Sequence, residues 1–276
     1  MPELPEVETV RRTLEPLING KTIKNVTVWY PKIIVGDANE FADKLKNNKI
    51  ITVDRYGKYL LIRLSDNLTL VSHLRMEGKY RLVDSKAPKQ KHEHVQFEFS
   101  DGSALRYDDV RKFGRMHLVE TGTEKVVTGI RHLGPEPNSS EFTINYFVNA
   151  LTKKKKNIKN TLLDQTIVCG LGNIYVDEVL WQSEIHPLSS AQKIPRKQVQ
   201  ILHDNINQII KRAIDLKGTS VHTFLDAAGD SGKYQNELNV YGRVGEPCIR
   251  CNTKLEKIKV GGRGTTFCSH CQMVYK

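Results

Sequence analysis

Two identical cysteine spacings, Cys248-x2-Cys251 and Cys268-x2-Cys271, stand 16 residues apart near the end of a chain of 276 residues. Each Cys-x2-Cys pair suits a tight turn, and two such turns facing one another place four thiolates around a tetrahedral zinc ion. The opening residues MPELPEVETVRR carry acids and prolines where a secretory leader needs a basic start and an apolar run. A cytoplasmic location is therefore expected, in which thiols stay reduced rather than pairing as disulfides. A four-thiolate site leaves no open coordination position, so one structural Zn2+ is expected to organise the fold rather than to perform chemistry. Cys169 lies outside the spacing and reads as a core thiol.

From Gly245 to Lys276 there are six Lys/Arg and two Glu, so this module carries +4 and is suited to pressing a β-hairpin onto phosphates. Arg263, in Gly261-Gly262-Arg263-Gly264, falls at the expected hairpin tip. The whole chain shares the bias: 42 Lys+Arg against 31 Asp+Glu give a formal +11, which favours a polyanionic partner. Hydrophobic residues at 39% and charged residues at 26% exclude a mostly disordered chain or a collagen-like fibre. No uninterrupted apolar stretch approaches the roughly 20 residues of a membrane helix.

Three further regions are legible. Val7, Val10, Leu14, Leu17 and Ile18 recur at near-helical spacing, with Pro5 fit for a first turn and Asn19-Gly20 as the stop. From Thr22 to about Leu118 the period changes to two, as in Val95-Gln96-Phe97-Glu98-Phe99, which predicts an antiparallel β-domain. Gly134-Pro135-Glu136-Pro137-Asn138-Ser139-Ser140 resists helix and strand alike and reads as a linker. Beyond it, Val199, Leu202, Ile206, Ile209, Ala213 and Leu216 predict one buried stripe on a long helix ended by Gly218. Gly218 to Gly245 is polar and glycine-rich, a length that suggests a mobile functional loop.

Removal of Met1 would expose the secondary amine of Pro2. An α-amine with pKa of about 7.7 to 8.0 is roughly a tenth to a fifth neutral at pH 7, against about four parts in ten thousand for a lysine. Such an amine is an available nucleophile, and its attack on a sugar C1′ yields an iminium with no N–H to lose, a fixed charge that promotes elimination. Glu3 and Glu6 flank it, one suited to protonating a ring oxygen and the other to stabilising the cation.

The run Pro2-Glu3-Leu4-Pro5-Glu6-Val7-Glu8, joined to the four-cysteine module, resembles the formamidopyrimidine-DNA glycosylases, bacterial repair enzymes for oxidised purines. The likeness extends over essentially the whole chain. It is carried further by Lys58-Tyr59-Leu60-Leu61, His73-Leu74-Arg75-Met76, Lys91-His92-Glu93-His94, Arg111-Lys112-Phe113-Gly114, Gly170-Leu171-Gly172-Asn173-Ile174-Tyr175 and Val240-Tyr241-Gly242-Arg243. Each segment alone is weak, but their order and spacing together are specific.

The resemblance implies an α+β chain. An N-terminal helix plus antiparallel β-sandwich catalytic domain would cover residues 1–133, with a linker at 134–140. A helical DNA-binding (helix-two-turns-helix) domain would cover 141–244, with a lesion-covering loop at 218–238, and a four-cysteine zinc-finger β-hairpin would cover 245–276. The implied activity is a base-excision-repair DNA glycosylase with AP lyase activity on damaged double-stranded DNA, working as a monomer away from membranes. Pro2 would attack C1′, Glu3 would act as general acid with Glu6 in support, and β- then δ-elimination would cut the strand. Lys58 would contact phosphate and move the proton of β-elimination; Arg263 would bind phosphate in δ-elimination. Met76, Arg111 and Phe113 match the family's void-filling triad, needed because extruding a nucleotide leaves a gap in the stack. His73, His92, Arg111, Lys154, Lys159, Asn173 and Tyr241 would contact DNA. For Asn173 there is also a mechanism, since helix N-terminal amides can meet a phosphate.

The chain departs from the usual pattern at Val110 and Asn160, where proline is common, and at Ser220-Val221-His222 in the loop. Two alternatives remain. An endonuclease-eight type glycosylase for oxidised pyrimidines would typically carry glycine at Leu4 and often lacks the arginine and phenylalanine wedge. A noncatalytic zinc-finger protein would bind nucleic acid without cutting it.

Overall fold

The structure is a computed structural model, and it describes residues 2–220 and 226–276. The chain forms two compact units: residues 1–131 together with 217–233, and residues 132–216 together with 234–276.

The first unit opens with α1 (Leu4–Ile18). Glu3 precedes it as N-cap, Pro5 lies in the first turn where its missing N–H costs nothing, and Glu3 and Glu6 form a reciprocal capping box. The expected apolar face is buried through Val7, Val10, Leu14 and Ile18, while Leu17 packs only partly buried against it. Eight strands follow: β1 (Ile23–Val28), β2 (Ile50–Tyr56), β3 (Tyr59–Leu64), β4 (Leu68–His73), β5 (Lys79–Asp84), β6 (Glu93–Phe99), β7 (Ser103–Asp108) and β8 (Arg115–Glu120). They make two antiparallel sheets, ordered β1-β6-β7-β5 and β2-β3-β4-β8. Val26, Val95, Phe97 and Leu105 from one sheet and Val53, Leu60, Ile62 and Leu70 from the other share one core, which is the expected sandwich. Two short helices have no counterpart among the expected elements. The first is α2 (Ala38–Leu45), capped by Asp37, whose carboxylate accepts from the Asn39 and Glu40 amides at 2.9 Å; the second is α3 (Glu124–Val127).

The second unit contains α4 (Ile144–Thr152), α5 (Ile158–Leu162), α6 (Asn173–Gln182) and α7 (Arg196–Asp215), then the hairpin β9 (Glu256–Val260) and β10 (Arg263–Phe267). On α7 the buried stripe is Val199, Leu202, Ile206, Ile210 and Ala213. Ile210 therefore replaces the expected Ile209, because a straight 3.6-residue helix takes a four-residue step from Ile206, and Leu216, expected to end the stripe, is the half-buried C-cap beyond the last helical turn. Residues 134–140 do not hang as a free linker. Gly134 N–H donates to Gln165 O at 2.8 Å, Pro135 O accepts from Cys169 N–H at 3.0 Å, and Asn138 N–H donates to Asn207 Oδ1 at 2.7 Å, all inside the second unit. The expected loop 218–238 is likewise divided: residues up to 233 belong to the first unit and residues from 234 to the second. Val221 and His222, at its start, lie outside the described residues.

Candidate active site and nucleic-acid interface

Pro2 is buried at the head of α1. Glu3 is 3% and Glu6 2% exposed. Glu6 Oε2 accepts from Glu3 N–H at 2.7 Å, and Glu6 Oε1 accepts from Thr219 N–H at 2.7 Å. The second carboxylate of the motif thus ties the segment after Gly218 to the residues around Pro2. Gly218 has φ +73°, and a Cβ there would lie 2.8 Å from Glu6 Oε1. Both the left-handed backbone and the close approach require glycine. The sequence marks Gly218 as a helix stop and loop start, but it shows neither the contact with Glu6 nor a role for Thr219, because the partner is remote in sequence.

Lys58 sits with Gly57 in the two-residue turn between β2 and β3, where Tyr56 pairs with Tyr59 and Gly57 has φ +56°. Arg55 braces this turn, donating through Nη1 to Gly57 O and through Nε to Glu8 Oε2, both at 3.0 Å. Burial alone would raise the Glu8 carboxyl, but Arg11, Arg55 and Arg12 outweigh it and hold the group below the usual carboxylate range. Lys58 itself is buried, and so is His73. Burial first, then the charges of Arg75 and Lys58, push the His73 imidazole down to about 3. Its Nδ1 accepts from Arg75 N–H at 2.9 Å, and Tyr59 meets the ring edge-on at 4.5 Å between centroids. His73 is therefore a neutral, enclosed ring beside Lys58 rather than an exposed cation.

Arg111 and Phe113 stand on the exposed turn between β7 and β8; Phe113 is 49% exposed, and the Arg111 guanidinium lies 4.9 Å from its ring centroid. Met76, half-buried, is on the turn between β4 and β5, and His92, half-buried, precedes β6.

In the second unit Arg263 is exposed and opens β10 directly after the Gly261-Gly262 turn, as expected. Asn173 is the first residue of α6, and its Nδ2 donates to Gly264 O at 3.0 Å. Tyr241 is half-buried and donates its backbone N–H to Glu178 Oε1 at 2.9 Å. Lys154 is half-buried and pairs with Asp164 at 3.1 Å. Lys159 departs from the surface position expected of a DNA contact. Its side chain is 0% exposed, its Nζ lies 2.6 Å from Asp177 Oδ1, and Asp177 Oδ2 accepts from Thr266 N–H at 3.1 Å. The pair joins α5 and α6 to β10.

The four cysteine sulfurs all lie within 4.8 Å of one another, with Cys251–Cys268 at 3.5 Å and Cys248–Cys271 at 3.9 Å. Four thiolates around zinc at about 2.3 Å are spaced by about 3.8 Å, so the cluster fits the ion. Trp181 Nε1–H points at Cys248 Sγ at 3.4 Å, the kind of outer donor that steadies a thiolate ligand. Cys169 is buried apart from them, as expected.

Three family models match: the formamidopyrimidine-DNA glycosylase N-terminal domain over residues 1–116, its H2TH domain over 133–225, and the zinc finger found in FPG and IleRS over 245–274. The chain belongs to the formamidopyrimidine-DNA glycosylase family. A formamidopyrimidine-DNA glycosylase of Lactobacillus johnsonii is 70% identical over 276 residues, covering 100% of both chains, and one of Lactobacillus helveticus is 68% identical over the same length. Among solved structures, a complex of the Lactococcus lactis enzyme with DNA containing an abasic site is 45% identical with TM-score 0.93, covering 98% of this chain and 99% of that one. A complex of the wild-type Lactococcus lactis enzyme with DNA containing an N7-benzyl-Fapy-dG is equally similar, at 45% and 0.93, covering 99% and 100%. One departure from the usual formamidopyrimidine-DNA glycosylase pattern has a local structural consequence. Asn160 donates its N–H to Asn157 Oδ1 at 2.9 Å, a cap bond that proline cannot make.

Proposed function

We propose that this protein is a base-excision-repair DNA glycosylase and AP lyase that removes oxidised purines, 8-oxoguanine and formamidopyrimidines, from double-stranded DNA. The proline amine, freed by loss of Met1, attacks C1′ of the extruded nucleotide while the N-glycosidic bond breaks and the sugar ring opens, and the base departs with the proton that the amine nitrogen sheds in becoming an iminium. Glu3 supplies the proton to the sugar, and Glu6 supports the resulting iminium. Loss of a C2′ proton then expels the 3′ phosphate, with Lys58 as the proton carrier and phosphate contact. A second elimination expels the 5′ phosphate with Arg263 bound to it. Met76, Arg111 and Phe113 fill the gap in the stack, and His73, His92, Lys154, Asn173 and Tyr241 serve the DNA interface, His73 as a neutral ring. We further propose that the protein acts as a monomer in the cytoplasm, on chromosomal DNA. No helix among the described residues is long and apolar enough to cross a membrane.

One observation carries this reading: Pro2 is buried at the head of α1 beside Glu6, whose carboxylate is fixed by Glu3 N–H and Thr219 N–H at 2.7 Å each. Borohydride added during reaction with a duplex holding one 8-oxoguanine should join protein to oligonucleotide through residue 2, and Pro2→Gly should depress base excision strongly while retaining DNA affinity. Absence of any adduct would remove the proline chemistry and favour a noncatalytic binder. An adduct and cleavage confined to a thymine glycol duplex would favour the endonuclease-eight type.

A further inference from the structure

We infer that Asp109 and Tyr107 are positioning residues that make the two wedge-bearing turns of the first unit into one rigid element, and that lesion extrusion from a duplex depends on them. The inference rests on the proposed void-filling role of Phe113.

Asp109 is 0% exposed, although it sits on a turn whose next three residues are all exposed. Its Oδ1 accepts from Arg111 N–H at 3.0 Å, and its Oδ2 accepts from Gly114 N–H at 2.8 Å. The carboxylate therefore grips both sides of Phe113. The backbone of Asp109 is also engaged: its N–H donates to His92 O at 3.0 Å, and its carbonyl lies 2.8 Å from His94 Nε2. Lys112, inside the turn, has φ +58°, a strained conformation for a residue with a side chain. Charge-assisted bonds from a buried carboxylate are the kind of restraint that holds such a turn in one shape.

Tyr107 extends the restraint to the second turn. Its hydroxyl lies 3.4 Å from Asp109 Oδ2, and its ring packs 5.2 Å from Tyr80. A Cβ at Gly114 would fall 1.8 Å from this hydroxyl, and a Cβ at Gly78 would fall 2.3 Å from it. Gly78 closes the turn that carries Met76, and Gly114 closes the turn that carries Phe113. Both glycines are thus pressed against one phenolic oxygen, where a side chain of any size would force the turns apart. A thioether and an aromatic wedge entering a base stack must hold their spacing under load. A shared buried anchor supplies that stiffness, which two independent exposed turns would lack.

Asp109→Asn places an amide N–H against one of the two backbone donors, and Tyr107→Phe removes the shared oxygen while keeping the ring. Base excision from an 8-oxoguanine duplex, and the fluorescence rise of a 2-aminopurine placed beside the lesion, report extrusion. Borohydride trapping on a single-stranded abasic oligonucleotide reports chemistry with no stack to fill. Asp109→Asn should slow excision and the fluorescence rise together by about tenfold or more, Tyr107→Phe should slow both by less, and trapping should match the wild type. Phe113→Ala should reproduce the duplex defect. If Phe113→Ala slows extrusion and the two positioning variants do not, the inference falls and the wedge reading stands. If Phe113→Ala has no effect, both fall. Equal loss of trapping and of duplex excision would mean that these residues serve only the general fold, which also overturns the inference.

Discussion

Thr219 donates its backbone N–H to Glu6 Oε1 across 213 positions of sequence, at 2.7 Å. The head of α1 and the segment after α7 therefore meet at one buried carboxylate in the first unit. Ala227 repeats the connection lower on the same helix, donating its N–H to Thr13 Oγ1 at 3.2 Å.

Gly218→Ala should disturb this meeting more than its backbone strain alone explains. The alanine must hold a backbone φ of +73°, and its Cβ meets Glu6 Oε1 at 2.8 Å. Gly229→Ala is the control, because its φ is +90° with nothing within 4 Å of a Cβ. Thermal unfolding should show a loss of about 1–2 kcal/mol for the control and about 1–3 kcal/mol more for Gly218→Ala, which displaces a buried hydrogen bond. Base excision should fall only in the latter.

Acid should weaken the first unit through His73. Its folded value of about 3 lies below the unfolded value of about 6.5, so between these limits the unfolded chain binds the extra proton. This contribution to stability is fully present above about pH 6.5 and is lost as pH falls toward 3. Urea unfolding of the wild type should show stability declining across that window, and His73→Gln should flatten the decline.

Replacing Cys268 should release one zinc per chain, measured by metal analysis, and weaken binding to an abasic duplex. Circular dichroism of the β-sheet should persist, because the cysteines belong to the second unit. A native protein without zinc contradicts the assignment.

Lys159→Met combined with Asp177→Leu tests whether the buried lysine touches DNA. Each direct phosphate contact contributes about 0.9 to the slope of log affinity against log salt. The double variant should keep the wild-type slope, whereas Lys154→Met should lower it. Lys159→Met alone should destabilise by about 3–5 kcal/mol, since it strands the Asp177 carboxylate.

What the sequence made legible was local. The cysteine spacings led to the sulfur cluster, period-two alternation to the β-sandwich, and helical spacing to α1 and α7, with two misplaced core positions on the α7 stripe: Ile210 stands in place of Ile209, and Leu216 is a half-buried C-cap. The enclosed Lys159 was not legible, because its partner Asp177 lies on a different helix and nothing in the lysine-rich run distinguishes it. The roles of Thr219, Asp109 and Tyr107 depend on which backbones approach one another, information that residue types alone do not carry. Residues 134–140 read as a linker from their prolines, yet their hydrogen bonds go to α7 and to the segment before α6.

The closure of the first unit by residues 217–233 constrains its biogenesis. Ala227 belongs to the core that α1 and the sheets enclose, so a nascent chain that has emerged only through β8 still lacks part of its own interior. Translation must deliver some hundred further residues, including the whole of α7, before that interior is sealed. The second unit is likewise discontinuous, so neither half matures as a simple prefix of the polypeptide. A released fragment ending at residue 131 should accordingly remain protease-sensitive at the head of α1.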